Sequence, residues 1–185
     1  MNLMIADSAT TQDRATTATA DLLSYDTAKC VLGEVLVARS SKGVCAVLIG
    51  ETAEELKADL AERFPKSAIT FGQTAVRDDL AKVVRFMEKP AVGLDLALDM
   101  RGTPFQRRVW EKLRTVPVGK TVTYMELAKW LSPVSSPRAV AGACAANPIA
   151  LAVPCHRVIR SNGDLAGYRW GLDRKRLLIQ KEAEA

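Results

Sequence analysis

Three short segments near the start of the chain are rich in apolar residues, and they predict three β-strands. The strands cover Leu22–Thr27, Gly33–Ser40 and Val44–Ile49, and Lys42-Gly43 between the last two predicts a hairpin. Residues 1–21 are rich in threonine, alanine, aspartate and serine without periodicity. We expect them to form a flexible tail or the remnant of a linker.

The spacing of apolar residues then becomes helical. Residues Thr52–Phe64 predict an amphipathic helix, with a threonine cap, a glutamate three positions later and Pro65 at its end. A second helix is predicted over Val76–Glu88, and a short strand over Leu94–Leu98. We therefore expect residues 22–99 to form a small α/β domain.

The second half of the chain, residues 100–185, reads as mostly helical. Thr103, followed by a proline at the first helical position, and Thr123 are both typical helix caps. Four helices are predicted, over residues 104–114, 124–131, 138–146 and 173–184. Because a short turn joins the second and third, this half is expected to contain a helix-turn-helix unit of the kind that binds DNA.

The third of these helices, Arg138–Ala146, consists almost entirely of small residues. One interpretation is close packing against another helix, which small side chains permit. The other is close approach to a sugar-phosphate surface, since the minor groove of DNA is only about 6 Å wide and excludes a helix with long side chains. The pattern alone leaves both interpretations open.

Composition narrows the class of protein. The chain has 185 residues, 48% of them hydrophobic, which is enough to bury a sizeable core. It has no apolar run long enough to cross a membrane and no secretory signal pattern, so we expect a cytoplasmic protein. Its four cysteines lack a paired spacing and it has one histidine, which predicts reduced thiols and no metal site.

Charge is divided unevenly along the chain. Residues 1–99 carry 11 basic and 15 acidic side chains, whereas residues 100–185 carry 15 basic and 6 acidic ones, within a total of +5. A basic half that follows an acidic one indicates contact with a polyanion such as DNA, although ordinary surface charge would give the same count.

The most reactive residue types stand together at Pro154-Cys155-His156. An imidazole beside a cysteine favours the thiolate, which is the strong nucleophile among protein side chains. Neighbouring side chains on an extended strand point to opposite faces, so adjacency alone does not make a pair. Pro154 favours a bend at which the two side chains could converge.

Several motifs follow one another along the second half of the chain: Thr103-Pro104-Phe105-Gln106, Val109-Trp110, Gly119 to Tyr124, Arg138-Ala139-Val140, Asn147-Pro148, Pro154 to Val158, and Gly167 to Gly171. In this order they resemble the O6-alkylguanine-DNA alkyltransferase family, and the resemblance runs from about residue 22 to the end, more weakly before Gly102. The last motif, Gly167 to Gly171, resembles most the second half of the bacterial Ada-type adaptive-response proteins.

The resemblance implies an α+β fold, with a ribonuclease H-like α/β unit before a winged-helix-like catalytic domain. It also implies five catalytic residues. Cys155 would accept the alkyl group and His156 would take its proton through a water molecule. Glu182 would orient the histidine, Asn147 would brace the active-site turn, and Tyr124 would donate to the departing guanine.

The same resemblance assigns DNA contacts to Arg138, which would fill the gap left in the base stack, and to Ala139 and Ala145. The guanine pocket would be lined near Val158, Tyr168 and Arg169. Taken one at a time, most of these residues also have an ordinary structural interpretation without a role in function. Glu182, for example, is typical of a solvated helix charge, and only the register of the whole pattern favours the functional roles.

The expected reaction is direct repair of double-stranded DNA, in which alkyl groups leave O6-alkylguanine, and also O4-alkylthymine, for Cys155. A damaged base inside the duplex is shielded, so the nucleotide must be turned out first. The product is a thioether that water does not readily cleave, so each molecule would act once, without a cofactor. We expect a monomer that binds the minor groove and has no contact with a membrane.

Three alternatives stay open. The chain could be the DNA-binding regulatory module of an Ada-type transcriptional activator, although no cysteine cluster precedes Leu22. It could be an alkyltransferase-like protein that binds lesions without repair, but such proteins lack the acceptor cysteine that this chain has at Cys155. A Cys-His hydrolase would need an oxyanion hole, for which the sequence gives no independent sign.

Overall fold

The computed structural model describes residues 21–185, and a four-stranded sheet forms the first part of it. Three consecutive strands form an antiparallel meander, and the fourth joins the other side of the first strand in parallel. The strands are β1 (Asp21–Cys30), β2 (Gly33–Ser40), β3 (Gly43–Gly50) and β4 (Ser67–Phe71), in the order β3-β2-β1-β4. The three predicted strands are confirmed with longer first and third members.

Two helices cover this sheet, α1 (Ala53–Arg63) and α2 (Thr74–Glu88), close to the predicted bounds. The Thr52 hydroxyl accepts a hydrogen bond from the Glu55 amide at 3.2 Å, which is the predicted cap. The sequence did not predict β4. This strand lies at the edge of the sheet, is only five residues long and is mostly exposed, so no long apolar run marks it in the sequence.

The predicted strand over Leu94–Leu98 is wrong. This segment makes a single bridge, between Leu98 and Val44, flanked by two backbone hydrogen bonds of 2.8 Å. One bridge does not make a ladder, so the apolar residues here belong to a connecting segment that packs against the sheet. A short 3₁₀ turn at Pro90–Val92 precedes it.

Four helices dominate the second half: α3 (Pro104–Leu113), α4 (Tyr124–Lys129), α5 (Pro137–Ala145) and α6 (Leu172–Ala183). Two short strands, β5 (Val122–Thr123) and β6 (Val158–Ile159), pair in parallel between them. Side-chain caps fix three helix starts, with hydroxyl oxygens accepting from backbone amides at 3.1–3.2 Å. The capping residues are Thr103, Thr123 and Ser136.

The small residues of α5 serve two faces. Val140, Ala143 and Cys144 are buried, and the indole of Trp110 on α3 donates to the Ala143 carbonyl at 2.8 Å. The other face is exposed, and a side chain added at Gly142 would meet nothing within 4 Å. One face of α5 therefore packs closely against α3, and the other face is a smooth surface that leaves room for a partner.

The sheet also holds the segment after α5. The Val47 amide on β3 donates to the Pro148 carbonyl at 2.9 Å, and the Ala150 amide donates to the Val47 carbonyl at 3.0 Å. Arg174 on α6 adds a second tie, since its guanidinium donates to the Leu32 carbonyl at 2.7 Å. Within the part of the chain described, no helix has the length and apolar character needed to cross a membrane.

Candidate active site

The chain after α5 turns sharply around a buried asparagine. The Asn147 amide nitrogen donates to the Val153 carbonyl at 2.9 Å and to the Cys155 sulfur at 3.3 Å, and its oxygen accepts from the Ile149 amide at 2.8 Å. Leu151 within this turn has a φ of 67°, which is uncommon for a branched residue. One fully buried side chain thus holds both the turn and the sulfur, as expected for Asn147.

Cys155 begins a 3₁₀ turn, Cys155–Arg157, and lies at the wall of a cavity of about 560 Å³. The cavity is lined by Tyr124, Pro137, Ala141, Cys144, Ala145, Cys155, Arg160, Ala166, Gly167, Tyr168 and Arg169. Although it is only 5% exposed, Cys155 therefore borders a space that a ligand can enter. Of the predicted site residues, Tyr124, Ala145, Tyr168 and Arg169 border the same space.

The sulfur of Cys155 needs a base in the DNA-free protein. Burial raises the pKa of the Cys155 thiol to about 11, although the Asn147 hydrogen bond and the charge of Lys175 both oppose this shift. At neutral pH the sulfur is therefore a thiol, and it becomes nucleophilic only when a base removes its proton.

His156, the next residue, has the properties of such a base. Its Nε2 lies 2.8 Å from Oε1 of Glu182, and both side chains are buried. Because a carboxylate only accepts hydrogen bonds, Nε2 carries the proton and Nδ1 keeps its lone pair. Nδ1 is buried and has no hydrogen-bond partner among the described residues. Burial lowers the pKa of His156 against the effect of Glu182, so the imidazole is neutral and can accept a proton.

Arg157 completes this cluster and was not assigned a role from the sequence. Its guanidinium donates to both oxygens of Glu182 at 2.8 Å and to the Val116 carbonyl at 2.5 Å. Burial alone would raise the pKa of Glu182, but the hydrogen bonds from His156 and Arg157 outweigh it and lower this pKa to about 2. Glu182 therefore stays charged, and it is a buried, hydrogen-bonded carboxylate instead of a solvated helix charge.

Two tyrosines border the cavity. Burial raises the pKa of Tyr124 to about 12, with smaller contributions from the two neighbouring cysteines, so its phenol keeps its proton and can donate it. Tyr168 packs edge-on against Trp170 at 5.2 Å between ring centroids, and its buried hydroxyl has no hydrogen-bond partner among the described residues. Trp110 lies in the core.

The predicted DNA contacts lie at the surface. Arg138 and Ala139 are exposed in the first turn of α5, and Ala145 is exposed at its end. Arg169 forms an ion pair with Asp59 of α1 at 3.2 Å. Val158 differs from the rest of the predicted pocket, because it is fully buried and is not among the residues that line the cavity.

Two buried residues near the cavity were missed: Cys144, which lines it, and Lys175, which is completely buried on α6. The spacing of Lys175, Leu178 and Glu182, which places all three on one helix face, could have revealed the lysine. Within residues 21–185, no group of three or more histidine, cysteine, aspartate or glutamate side chains is arranged to hold a metal ion.

Comparison with known proteins places this site in a family. Residues 104–184 match the model of the 6-O-methylguanine DNA methyltransferase DNA-binding domain. The chain is 43% identical over 160 residues to the bifunctional transcriptional activator/DNA repair enzyme Ada of Escherichia coli. These 160 residues cover 86% of this chain. The chain spans 45% of the length of that relative.

A second relative matches along nearly its whole length. A methylated-DNA–protein-cysteine methyltransferase of Candida albicans is 36% identical over 167 residues, which cover 85% of this chain and 93% of the relative. The crystal structure of Mycobacterium tuberculosis OGT in complex with DNA has a TM-score of 0.74 and 31% identity, covering 87% of this chain and 93% of that one. The chain belongs to the methylated-DNA–protein-cysteine methyltransferase family.

Proposed function

We propose that this chain repairs DNA by direct reversal, moving the alkyl group of O6-alkylguanine, and also of O4-alkylthymine, to Cys155. The observation that carries the proposal is the buried chain of contacts from Glu182 to His156 beside a cysteine that borders an open cavity. Membership of the family adds the substrate class to this geometry. The residues present supply a nucleophile, a base and a proton donor, which are the groups that this reaction requires.

The proton and the alkyl carbon move in opposite directions. Nδ1 of His156 takes the Cys155 proton through a water molecule, and Glu182 stabilises the imidazolium that results. The sulfur then attacks the alkyl carbon from behind, a carbon–sulfur bond forms, and the bond from carbon to O6 breaks with its electron pair left on guanine. The phenol of Tyr124, whose pKa is raised, donates to the developing anion.

DNA binding is assigned to the basic second half of the chain and to the open face of α5. Turning a nucleotide out of the duplex costs a few kcal/mol of stacking and pairing. Arg138 is exposed at the start of α5, where it can fill the vacated stack, and Ala139 and Ala145 leave room for the sugar-phosphate backbone in the minor groove. These assignments agree with Arg138 having no ion pair among the described residues.

The finer description of the fold is also a proposal. A meander of three antiparallel strands with a parallel fourth strand supports a reduced ribonuclease H-like domain over residues 22–99. Helices α4 and α5 with the β5–β6 pair support a winged-helix-like domain over residues 100–185. The proposed tail, residues 1–21, lies outside the described residues except for Asp21, which begins β1. A cytoplasmic monomer stays a prediction.

A regulatory role is the second candidate function. It is favoured by the similarity to Ada, whose name combines a transcriptional activator with a repair enzyme, and of which this chain spans less than half. A module that only binds DNA would need no buried base beside its cysteine. The Glu182–His156 pair at 2.8 Å therefore favours repair as the activity of the residues described.

The single-use prediction separates repair from binding and from hydrolysis. When DNA containing O6-methylguanine is present in tenfold excess, we expect repair to stop after one lesion per protein molecule, because the thioether of Cys155 has no hydrolytic exit. The measurement is the amount of repaired guanine against time at two protein concentrations. Continued turnover would show a hydrolase, and bound but unrepaired DNA would show a binding module.

A further inference from the structure

Arg160 lies at the wall of the cavity, next to the tyrosine that the proposed reaction uses. Its position follows from the parallel pairing of β5 with β6, in which the last residues of the two strands, Thr123 and Ile159, lie opposite each other. The residues that follow them, Tyr124 and Arg160, therefore leave the pair at the same end, and both line the cavity. Burial raises the pKa of the Tyr124 phenol, and the positive charge of Arg160 opposes that shift, as expected for neighbouring side chains.

A tight turn fixes the backbone of Arg160. The Arg160 amide donates to the Asp164 carbonyl at 2.9 Å, and the Arg160 carbonyl accepts from the Gly163 amide at 3.0 Å. Gly163 has a φ of 88°, a conformation that favours glycine. The carboxylate of Asp164 accepts from the side-chain nitrogen of Asn162 at 2.7 Å, so the acidic group of this turn has a partner within the turn. The turn thus fixes the point from which the Arg160 side chain extends.

The guanidinium of Arg160 has no acidic partner. Within residues 21–185, no carboxylate forms an ion pair with it. The other arginine that lines the cavity, Arg169, pairs with Asp59 at 3.2 Å, and no acidic residue of the described chain lines this cavity. Arg160 is exposed whereas Cys155 is buried, so this free positive charge lies toward the solvent side of the cavity. It is available to an anion at the entrance.

A nucleotide that is turned out of the duplex brings such an anion. Its base must enter the cavity so that the alkyl carbon meets the sulfur of Cys155, while the two phosphates that join it to the strand stay outside. A guanidinium binds a phosphate through two parallel N–H···O hydrogen bonds, which fix the position of the phosphate and also balance its charge. The exposed Arg160 therefore suits a phosphate, and the buried sulfur suits the alkyl group.

We propose that Arg160 is a positioning residue that binds one of the two phosphates flanking the extruded nucleotide. The inference rests on the proposed function and adds a contact that forms only when the nucleotide has left the duplex. Arg138 is assigned to the gap inside the base stack, and Arg160 to the strand at the cavity entrance, so the two arginines stabilise the extruded state at different places. Because extrusion precedes transfer, the contact raises the transfer rate without touching the reacting atoms.

The test removes the phosphate charge and the arginine separately and together. Three duplexes carry the same O6-methylguanine: one is unmodified, and in the others a neutral methylphosphonate replaces the phosphate before the lesion or the phosphate after it. With unmodified DNA, we expect Arg160→Gln to lower the single-turnover rate at saturating protein roughly tenfold, because charge-assisted hydrogen bonds are lost. One of the two methylphosphonates should lower the parent rate to a similar extent, but should change the rate of Arg160→Gln by less than about twofold.

The pattern across the duplexes separates a phosphate contact from an effect of Arg160 on Tyr124. If Arg160 acted only through the phenol, Arg160→Gln would lower the rate equally with all three duplexes, and each methylphosphonate would keep its full effect in the variant. That result would overturn the proposal, and so would an unchanged rate of Arg160→Gln with unmodified DNA. Arg160→Lys keeps the charge without the paired hydrogen bonds, so it should recover part of the rate.

Lys82→Gln is the matched control. It also removes one exposed positive charge, but Lys82 lies on α2 and is not among the residues that line the cavity. Its rates should match those of the parent with every duplex. Arg160→Gln should unfold at the same temperature as the parent, because the side chain that it replaces is exposed.

DNA affinity gives the same comparison without the transfer reaction. In the Cys155→Ala background, fluorescence anisotropy measures the dissociation constants of the three duplexes with and without Arg160→Gln. The methylphosphonate that weakens binding when Arg160 is present should have no further effect when Arg160 is replaced, and equal effects in the two proteins would contradict the phosphate contact. Failure of the parent to repair DNA would contradict the proposed function, while these affinities would still decide the role of Arg160.

Discussion

We expect Cys155→Ala to abolish methyl transfer from O6-methylguanine in DNA and to leave DNA binding intact. The sulfur is the acceptor in the proposed reaction, and no other group replaces it. Phosphate contacts supply most of the affinity for DNA, and these come from surface cations that the substitution does not touch. We expect the dissociation constant to change by less than about twofold and its dependence on salt to be unchanged. Single-turnover repair and fluorescence anisotropy measure the two quantities.

Cys144→Ala is the matched control for this variant, because Cys144 is a second buried thiol that lines the same cavity. It should retain transfer, since no hydrogen bond like that from Asn147 to Cys155 reaches Cys144 from residues 21–185, and burial raises the pKa of the Cys144 thiol further. If methyl transfer survived in Cys155→Ala and disappeared in Cys144→Ala, Cys144 and not Cys155 would be the acceptor. Loss of DNA binding by a folded Cys155→Ala protein would show that acceptor and binding surface are not separate.

Glu182→Ala should have the largest effect on stability together with a large effect on rate. The substitution leaves the buried Arg157 guanidinium and His156 without their shared acceptor. Breaking a buried ion pair by removing one partner typically costs about 3–5 kcal/mol. Without the carboxylate, the imidazolium that forms during transfer loses its stabilisation, so we expect a rate about 10²-fold lower, within the usual contribution of a general base. Urea unfolding and single-turnover kinetics measure these effects.

Glu184→Gln provides the comparison, because Glu184 is an exposed acidic residue just beyond the end of the same helix. Its stability should change by less than about 0.5 kcal/mol, and its rate should match the parent. If Glu182→Ala unfolded at the same urea concentration as Glu184→Gln, the buried cluster would not stabilise the fold. If the transfer rate of Glu182→Ala were normal, His156 would not need Glu182 in order to act as the base.

Local signals in the sequence predicted most of the fold. Threonine caps mark where α1, α3 and α4 begin, and short apolar segments mark the three strands of the meander, because each of these patterns acts within a few residues. The conformation of the edge strand β4 and of the segment Leu94–Leu98 depends instead on the distant backbone with which each one pairs. Neither carries a local pattern that distinguishes a paired strand from a connecting segment.

The resemblance of the motifs predicted which residues form the candidate site, but it did not predict their pKa values. The structure places Asn147 beside the sulfur and Glu182 beside His156. The raised pKa of the Cys155 thiol could not be predicted, because burial depends on the whole fold. Arg157 and Lys175 were missed for the same reason: a basic residue in a charged segment is normally solvated, and only packing shows that these two are buried.

The most direct test of the account is to follow the methyl carbon itself. DNA carrying O6-methylguanine with a ¹³C-labelled methyl group is incubated with the protein, which is then digested and its peptides sequenced by mass spectrometry. The account predicts the labelled carbon on the sulfur of Cys155, at one equivalent per molecule, with unmodified guanine left in the DNA. Label on another residue, label released as methanol, or DNA that is bound with its methyl group still in place would contradict it.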